Sequence, residues 1–532
     1  MGRILFLTAL LFVFSAFFPA SGATWYVDGS VPASGDGTSW EKALKTIQEG
    51  INASSDGDTV IVGVGTYVEN IHFNGKNITL TSTDPLDSTV VANTIIDGNQ
   101  SGSVVTFSGT ENETCLLSAF TIRNGHAVQG GGICGGTADQ PTRATITHNV
   151  ITGNSTAQPE SDGGPYGGGL AFCDGLIENN SIRENTALAS GGGLYGCNGI
   201  IQNNTISANS AEGGGALDNC GGTIQNNIII GNSAVGGGGL ADCHGTIQYN
   251  IVSENSGQGL FACGGLILGN TISLNWAIVG GGLCYCNGMI KNNIISGNYG
   301  GEAGGGLYEC NGTIRNNLIV GNRTPVPWPD GFAYGGGLYA CDGLIENNTI
   351  TRNSSQYGDG LSWCRGTIRN CIIWANDLHE SSIPTYSCIQ GWSGGGEGNI
   401  SQDPRYGGGE YRLSPDSPCI DAGRNEEWMW DGVDLDGNPR IWRGKTSLTV
   451  DMGAYEFGSL HFKMLGVVRA MSGGVELTWS SRPGQVYTVW SCSDLAVGDW
   501  AEESIVASEG ETTAWSDPDT TSSRKFYRIE VR

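Results

Sequence analysis

Residues 307–322 read Leu-Tyr-Glu-Cys-Asn-Gly-Thr-Ile-Arg-Asn-Asn-Leu-Ile-Val-Gly-Asn, and this pattern decides the fold. It returns about every 23 residues along the middle of the chain, each copy preceded by a glycine run such as that at 304–306. An isoleucine stands four residues after the cysteine in every copy. A fixed period of this length predicts a solenoid of stacked coils. The aligned cysteines are Cys173, Cys197, Cys220, Cys243, Cys263, Cys286, Cys310, Cys341 and Cys364.

The apolar residues within each copy form short alternating runs between glycine and asparagine turns, which indicates strands rather than helices. Asparagine follows the cysteine by seven residues, except at Cys371, and by twelve residues without exception. Like residues of successive coils then lie one strand spacing apart, roughly 4.8 Å. The pattern therefore predicts a parallel β-helix with stacked isoleucine and leucine columns inside, and with asparagine side chains paired along the turns.

This coil resembles the right-handed parallel β-helix repeats of secreted bacterial proteins over residues 60–400. Residues 24–83 resemble the N-terminal cap of β-helix proteins that bind or act on carbohydrates. We expect a capping helix over residues 38–53, with Thr38 and Glu41 at capping-box spacing and Ala43, Leu44, Ile47 and Ile51 on one face. The resemblance implies an all-β fold, a right-handed parallel β-helix with an N-terminal capping helix.

The period fades after Asn376. Motifs at 417–423, 434–440 and 451–457 resemble the closing segment of exported β-helix proteins of the choice-of-anchor group. From about residue 460 the composition changes to alternating strands, which predicts a small C-terminal β-sandwich-like module. The predicted organisation is a signal peptide at 1–23, a cap at 24–59, a β-helix at 60–386, a closing segment at 387–457 and the module at 460–532.

The N-terminus indicates export. Arg3 precedes an apolar run at 4–18 and a small-residue cleavage pattern at 21–23, as in a signal peptide. We expect a secreted or cell-surface monomer with no membrane span. The chain has 16 cysteines. Parallel stacking suits the disulfide dihedral poorly, so we predict that most of these cysteines are buried thiols, with bridges between neighbouring coils as the alternative.

Net charge is −26, which makes nucleic acid and anionic membranes poor partners. An acidic polysaccharide is also repelled at long range unless a local basic patch or calcium intervenes. Five residues after the cysteine the side chain points outward, and in this column Lys291 and Arg315 are stacked neighbours, with Glu346 next to Arg315. They are the candidate lyase-like pair, since a lyase needs a cation to neutralise a uronate and a base to take a proton. The alternative is a solvated surface.

A hydrolase needs convergent carboxylates. Asp218, Asp242 and His244 lie in adjacent coils close to the cysteine column, and Glu309 has the offset of Asp242 three coils later. We take the first three as candidate catalytic residues. The alternative is that these side chains only hydrogen-bond the backbone of their turns.

One acidic loop of the closing segment is a candidate calcium site. Its oxygen ligands stand at short alternating spacing around a glycine, as they do in calcium-binding loops. The alternative is an Asp- and Gly-rich turn without metal. The candidate ligands are Asp431, Asp434, Asp436 and Asn438.

Two functional hypotheses follow. The first is an exported carbohydrate-associated protein that binds an extracellular polysaccharide along its lateral face, with or without lyase- or hydrolase-like cleavage. The second is a non-catalytic cell-surface or adhesion protein that uses the solenoid as a rigid spacer. Aromatic residues near the cysteine column are candidate sugar-stacking groups, with ordinary strand packing as the alternative. They are Phe172, Tyr195, Phe261, Tyr285, Tyr308, Tyr339 and Trp363.

Overall fold

The computed structural model is a right-handed parallel β-helix followed by a small antiparallel β module. The structure describes residues 22–158, 164–325, 331–407, 411–442, 447–459, 464–469, 474–481, 486–493, 500–510, 512–517 and 525–531. The predicted signal peptide lies almost entirely outside the described residues. The chain forms two compact units, one of residues up to 211 together with 220–222, and one of residues 212–219 and from 223 onward.

Each coil of the first unit contributes one strand to each of three parallel sheets. Sheet 1 contains Thr24–Val27, Thr59–Val62, Thr79–Ser82, Leu116–Ser118, Thr145–Thr147, Leu176–Glu178 and Ile200–Gln202. Sheet 2 contains Gly65–Val68, Thr94–Asp97, Thr121–Arg123, Val150–Thr152, Ser181–Arg183 and Thr205–Ser207. Sheet 3 contains Ile71–His72, Val105–Thr106, Ile133–Cys134, Leu170–Ala171 and Leu194–Tyr195. A further parallel pair is formed by His126–Ala127 and Ser155–Thr156.

The second unit repeats this arrangement. Its sheet 1 contains Thr223–Gln225, Thr246–Gln248, Leu266–Leu268, Met289–Lys291, Thr313–Arg315, Leu344–Glu346 and Thr367–Arg369. Its sheet 2 contains Ile228–Ile230, Ile251–Ser253, Thr271–Ser273, Ile294–Ser296, Leu318–Val320, Thr349–Thr351, Ile372–Trp374 and Cys388–Ile389. Its sheet 3 contains Leu217–Asp218, Leu240–Ala241, Leu260–Phe261, Leu283–Cys284, Leu307–Tyr308, Leu338–Tyr339, Leu361–Ser362 and Leu378–His379. The pair Trp276–Val279 and Tyr299–Ala303 lies outside these sheets.

The predicted interior columns are present. Within each unit the isoleucines four residues after the cysteines pair in register, as Ile290 pairs with Ile314. The isoleucines nine residues after them, with Val252 in one coil, do the same, and the side chains of both columns are almost fully buried. The buried asparagines form ladders, and Asn293 Nδ2 donates to Asn317 Oδ1 at 3.0 Å. Glycine is required in the run before sheet 3. Gly304, for example, has a φ of 62° and a Cβ there would lie 2.5 Å from the Leu307 carbonyl oxygen.

All 16 cysteines are free thiols and all but Cys134 are buried, as the stacking geometry predicted. In at least eight of the nine coils of the column the thiol approaches the backbone carbonyl two residues earlier, for example from Cys243 Sγ to Ala241 O at 3.2 Å. Burial raises the pKa of Cys371 to about 12, which keeps that sulfur in the protonated form.

The predicted position of the capping helix is wrong at its N-terminal end. The helix is Ile47–Ala53, and its capping box consists of Thr46 and Glu49 instead of Thr38 and Glu41. Residues before it cannot be helical because Leu44 pairs with the first strand, donating its N–H to Tyr26 O at 2.9 Å. Trp40–Lys42 forms a single 3₁₀ turn. A second short helix, Ser88–Asn93, precedes the sheet 2 strand at Thr94.

The closing segment contains the hairpin strands Tyr406–Gly407 and Arg412–Leu413 and the 3₁₀ turn Glu427–Trp430. Its apolar core joins Ile372 and Cys388 of sheet 2 with Cys419 and Met452. The C-terminal module consists of two three-stranded antiparallel sheets around a core that contains Trp479 and Tyr487. Its strands are Met464–Arg469, Val475–Ser480, Val486–Cys492, Ala501–Ala507, Thr512–Ser516 and Phe526–Val531.

Candidate functional site

A cavity of about 750 Å³ lies in the second unit, between the lateral face of the β-helix and the closing segment. Its β-helix wall includes Lys291 and Arg315, the pair selected from the sequence, together with Tyr249. The opposite wall comes from the closing segment. The residues that line this wall are Tyr411, Arg412, Trp428, Gly432, Val433, Leu435, Asp436, Gly437 and Tyr455.

The closing segment is held in place by a second asparagine column that the sequence analysis did not single out. These asparagines stand six residues after the cysteine, in the left-handed backbone conformation that asparagine tolerates well, as at Asn316 with a φ of 54°. In the last four coils they bind main-chain groups of the closing segment. Asn316 Nδ2 donates to Val433 O at 2.7 Å, and Asn347 Nδ2 donates to Asp451 O at 3.3 Å.

The other two members of the column make similar contacts. Asn292 Nδ2 donates to Asp434 O, and Asn370 Nδ2 donates to Arg424 O at 2.9 Å. Tyr249 and Gly269 stand at the equivalent positions of the two coils before these. Asparagine returns at this position in the three coils before those, at Asn179, Asn203 and Asn226, so the column alone does not mark which of its members contact the closing segment.

A buried ion network adjoins the cavity at Arg315. The carboxylate of Glu346 is fully buried between two arginines, at 2.5 Å from Arg315 Nη2 and 2.9 Å from Arg369 Nη2. Arg369 also contacts Glu426 of the closing segment at 2.9 Å. The guanidinium of Arg315 lies over the Trp428 ring, 3.9 Å from its centroid, in cation–π geometry.

Of the two residues in the lyase-like pair, only Lys291 keeps a charge without an ionic partner. Arg315 is committed to Glu346 and Trp428, whereas the ammonium of Lys291 makes no ion pair or hydrogen bond with the residues that the structure describes. Arg412, on the opposite wall, makes a bidentate contact with Asp436 at 2.7 and 2.8 Å. Lys291 is therefore the cation of this cavity that is available to a ligand.

The three hydrolase candidates do not share a column. Asp218 is buried in sheet 3 and pairs in register with Ala241, whereas the exposed Asp242 follows that strand on a left-handed turn with a φ of 48°. His244 accepts the backbone N–H of Gly264 at Nδ1, 3.2 Å away. The catalytic role of these three residues stays a prediction.

The contact of His244 belongs to a third ladder along the helix. The residue after each cysteine often accepts the N–H of its counterpart in the next coil, as Asn311 Oδ1 accepts the Asp342 N–H at 2.7 Å. Asp174, Asn198, Asn287 and Asp342 act in the same way. This position therefore has a structural function in most coils, including the coil of His244.

Two carboxylates of the acidic loop are already bound to other groups of the protein. The Asp434 carboxylate accepts backbone N–H groups of Asn438 at 2.7 Å and of Glu456 at 3.0 Å, and Asp436 is paired with Arg412. Burial raises the pKa of Asp434 to about 6. Nowhere in the described ranges do three His, Cys, Asp or Glu side chains form a cluster suited to a metal ion. Calcium at Asp431, Asp434, Asp436 and Asn438 stays a prediction.

The candidate sugar-stacking aromatics pack largely against one another. Tyr308 and Tyr339 are stacked with centroids 5.3 Å apart and an interplanar angle of 17°. Phe261 and Tyr285 meet edge to face at 5.9 Å. These ring–ring contacts bury part of each ring against its neighbour in the next coil, as aromatic residues on adjacent strands commonly do. The geometry favours the strand-packing alternative for this column.

No protein-family model matches the chain, and no curated protein matches it in sequence. Among solved structures the chain is similar to pectate lyase Pel9A, with 14% identity, coverage of 82% of this chain and 97% of the lyase, and a TM-score of 0.29. It is also similar to XylC in complex with xylose, with 11% identity, coverage of 93% and 100%, and a TM-score of 0.27. Within the described residues no helix is long and apolar enough to cross a membrane.

Proposed function

We propose that this protein is exported and binds an extracellular polysaccharide, with an acidic sugar unit in the cavity beside Lys291. The observation that carries the proposal is an ammonium group without an ionic partner among the described residues, in a concave site with aromatic and apolar walls. A few polar groups in an otherwise apolar pocket are typical of ligand sites. Because the chain as a whole carries a net charge of −26, this cationic site supplies the local attraction that an acidic sugar needs.

The chemistry of the cavity favours an acidic ligand over a neutral one. Lys291 has no carboxylate partner among the described residues, so a sugar carboxylate gains a charge-assisted hydrogen bond there without displacing one. Tyr249, which is 55% exposed, adds a ring at the rim of the cavity.

Binding is tested with polygalacturonate and alginate as acidic probes and xylan as a neutral probe, by isothermal titration calorimetry of the full chain. We expect Lys291→Ala to weaken binding of an acidic probe at least about tenfold, or about 1.4 kcal/mol. The matched control is Gln248→Ala, two coils away in the same outward column. Binding that is unchanged in Lys291→Ala would contradict the site, and the absence of binding to all three probes would favour the adhesion hypothesis.

Cleavage is tested in the same samples by absorbance of unsaturated ends and by a reducing-end assay. If cleavage occurs, unsaturated ends that disappear in Lys291→Ala support elimination at this site. Reducing ends without unsaturation, lost in Asp242→Ala and retained in Lys291→Ala, would instead assign hydrolysis to the residues near the cysteine column.

A further inference from the structure

The outward-facing side chains of sheet 2 change from solvent-exposed to buried along the second unit. Ile228 and Ile251 are 43% and 46% exposed, whereas Leu318 is 5% and Thr349 is 1% exposed. These residues pair in register through Thr271 and Ile294, so they form one strip along the helix axis. The cavity lies at the transition, because Thr271, Ile294 and Leu318 line it.

The covered end is a wall made by the closing segment. Thr349 Oγ1 accepts the Ala454 N–H at 3.0 Å, and the Trp428 ring lies over Arg315. Beyond this point Glu346 and Asn347 are fully buried. A ligand that runs along the strip therefore cannot continue past the coil of Arg315.

The opposite end continues onto open surface. From the cavity the strip runs to Ile251 and Ile228, with Tyr249 at its side, and these residues are exposed. Neighbouring coils are spaced by roughly 4.8 Å, which is close to the length of one pyranose unit. Apolar side chains at this interval suit the C–H faces of successive sugars, whereas Lys291 lies near the blocked end.

We propose that the site receives the end of a polysaccharide chain, not an internal stretch. The terminal acidic unit lies beside Lys291 against the wall formed by Arg315 and Trp428. The following units run parallel to the helix axis over Thr271, Ile251 and Ile228. This inference rests on the proposed function and adds to it the direction of the bound chain and its blocked terminus.

Binding stoichiometry tests chain-end recognition. Two size fractions of polygalacturonate, one several times longer than the other, are titrated into the full-length protein. The two ends of such a chain differ chemically, so a site that takes one of them saturates at one protein per chain at both lengths. A number of bound proteins that rises in proportion to length would overturn the inference and leave polysaccharide binding intact. Two size fractions of alginate are titrated in the same way, and no binding of any acidic fraction would remove the proposed function, and the inference with it.

A variant of the open strip gives an independent test. We expect Ile251→Asp to weaken binding of long galacturonate oligomers about tenfold through charge repulsion, and to leave binding of the monomer unchanged. Because Ile251 is exposed, the substitution spares the core. Val235→Asp is the matched control, since Val235 is 84% exposed and does not line the cavity. Equal losses for monomer and oligomers, or no loss for either, would contradict a chain that lies along this strip.

Discussion

Two coils of the second unit bury the same kinds of residue in their interior but differ in whether their outer surface is covered. The coil at 243–255 and the coil at 341–353 both bury isoleucine and asparagine at the same offsets. Outside, the first presents Gln248, Tyr249 and Ile251 to solvent or the cavity, whereas the second presents Glu346, Asn347 and Thr349 to the closing segment. The interior residues therefore specify the β-helix, and the outward residues decide whether a coil is covered or available to a ligand.

The largest expected difference between the two coils comes from Glu346. Glu346→Gln removes a buried carboxylate that serves two arginines, and the loss of one partner from a buried ion pair costs about 3–5 kcal/mol. We expect urea unfolding to show this loss and hydrogen exchange to increase in residues 411–457. Gln248→Ala, at the same position of the open coil, should change stability by less than about 0.5 kcal/mol. Unchanged exchange in the closing segment would show that the ion network does not hold it.

The interior of the fold was predictable because it repeats. Ile247 and Asn250 occupy columns whose period fixes both the strand and its buried face, so the sequence alone was sufficient for them. The capping helix shows the limit of local patterns. Thr38 and Glu41 have the spacing of a capping box, but pairing of Leu44 with the first strand competes with that helix and wins.

The candidate site was only partly predictable. Lys291 and Arg315 were identified from their outward column, and both line the cavity. Their separate roles depend on Trp428 of the closing segment, which is 113 residues from Arg315 in the sequence and outside the repeat. Asn226 and Asn316 likewise occupy the same turn position, and only the tertiary structure distinguishes an exposed turn asparagine from one that binds the closing segment.

Because the open and covered coils have the same interior, replacing a ladder asparagine should lower the free energy of unfolding equally in both. Asn250→Ala and Asn348→Ala each remove a side chain that donates to a buried carbonyl at 2.8 Å and accepts from the preceding ladder asparagine. Leaving such groups unsatisfied should cost about 3 kcal/mol in either variant. Urea unfolding of both variants measures it. A cost confined to Asn348→Ala would mean that the closing segment, rather than the ladder, gives this position its importance.

A change in pH should alter the stability of the covered end more than that of the open coils. Burial raises the pKa of Asp451 from 3.8 to about 7 and that of Asp434 to about 6. A carboxyl group whose pKa is higher in the folded state than in the unfolded state contributes stability that is fully present below its unfolded pKa. That stability is lost as pH rises through its folded pKa. We therefore expect Asp451 alone to cost the closing segment about 2 kcal/mol of stability between roughly pH 5 and pH 7, and Asp434 to add to that loss. Hydrogen exchange at residues 447–457 and at 246–253 compares the two regions, and equal pH dependence in both would contradict the assignment.

The smallest effect expected from the comparison concerns the turn asparagines. Asn316→Gly keeps the left-handed turn, which glycine adopts without strain, and deletes the hydrogen bond to Val433 O, so the loss should be about 1 kcal/mol. Asn226→Gly makes the same change at an exposed position and should leave stability nearly unchanged. Thermal unfolding of the pair measures the difference, since backbone effects are shared and cancel. If both variants lose the same amount, the asparagine column serves turn conformation alone, and the closing segment is held by the ion network around Glu346.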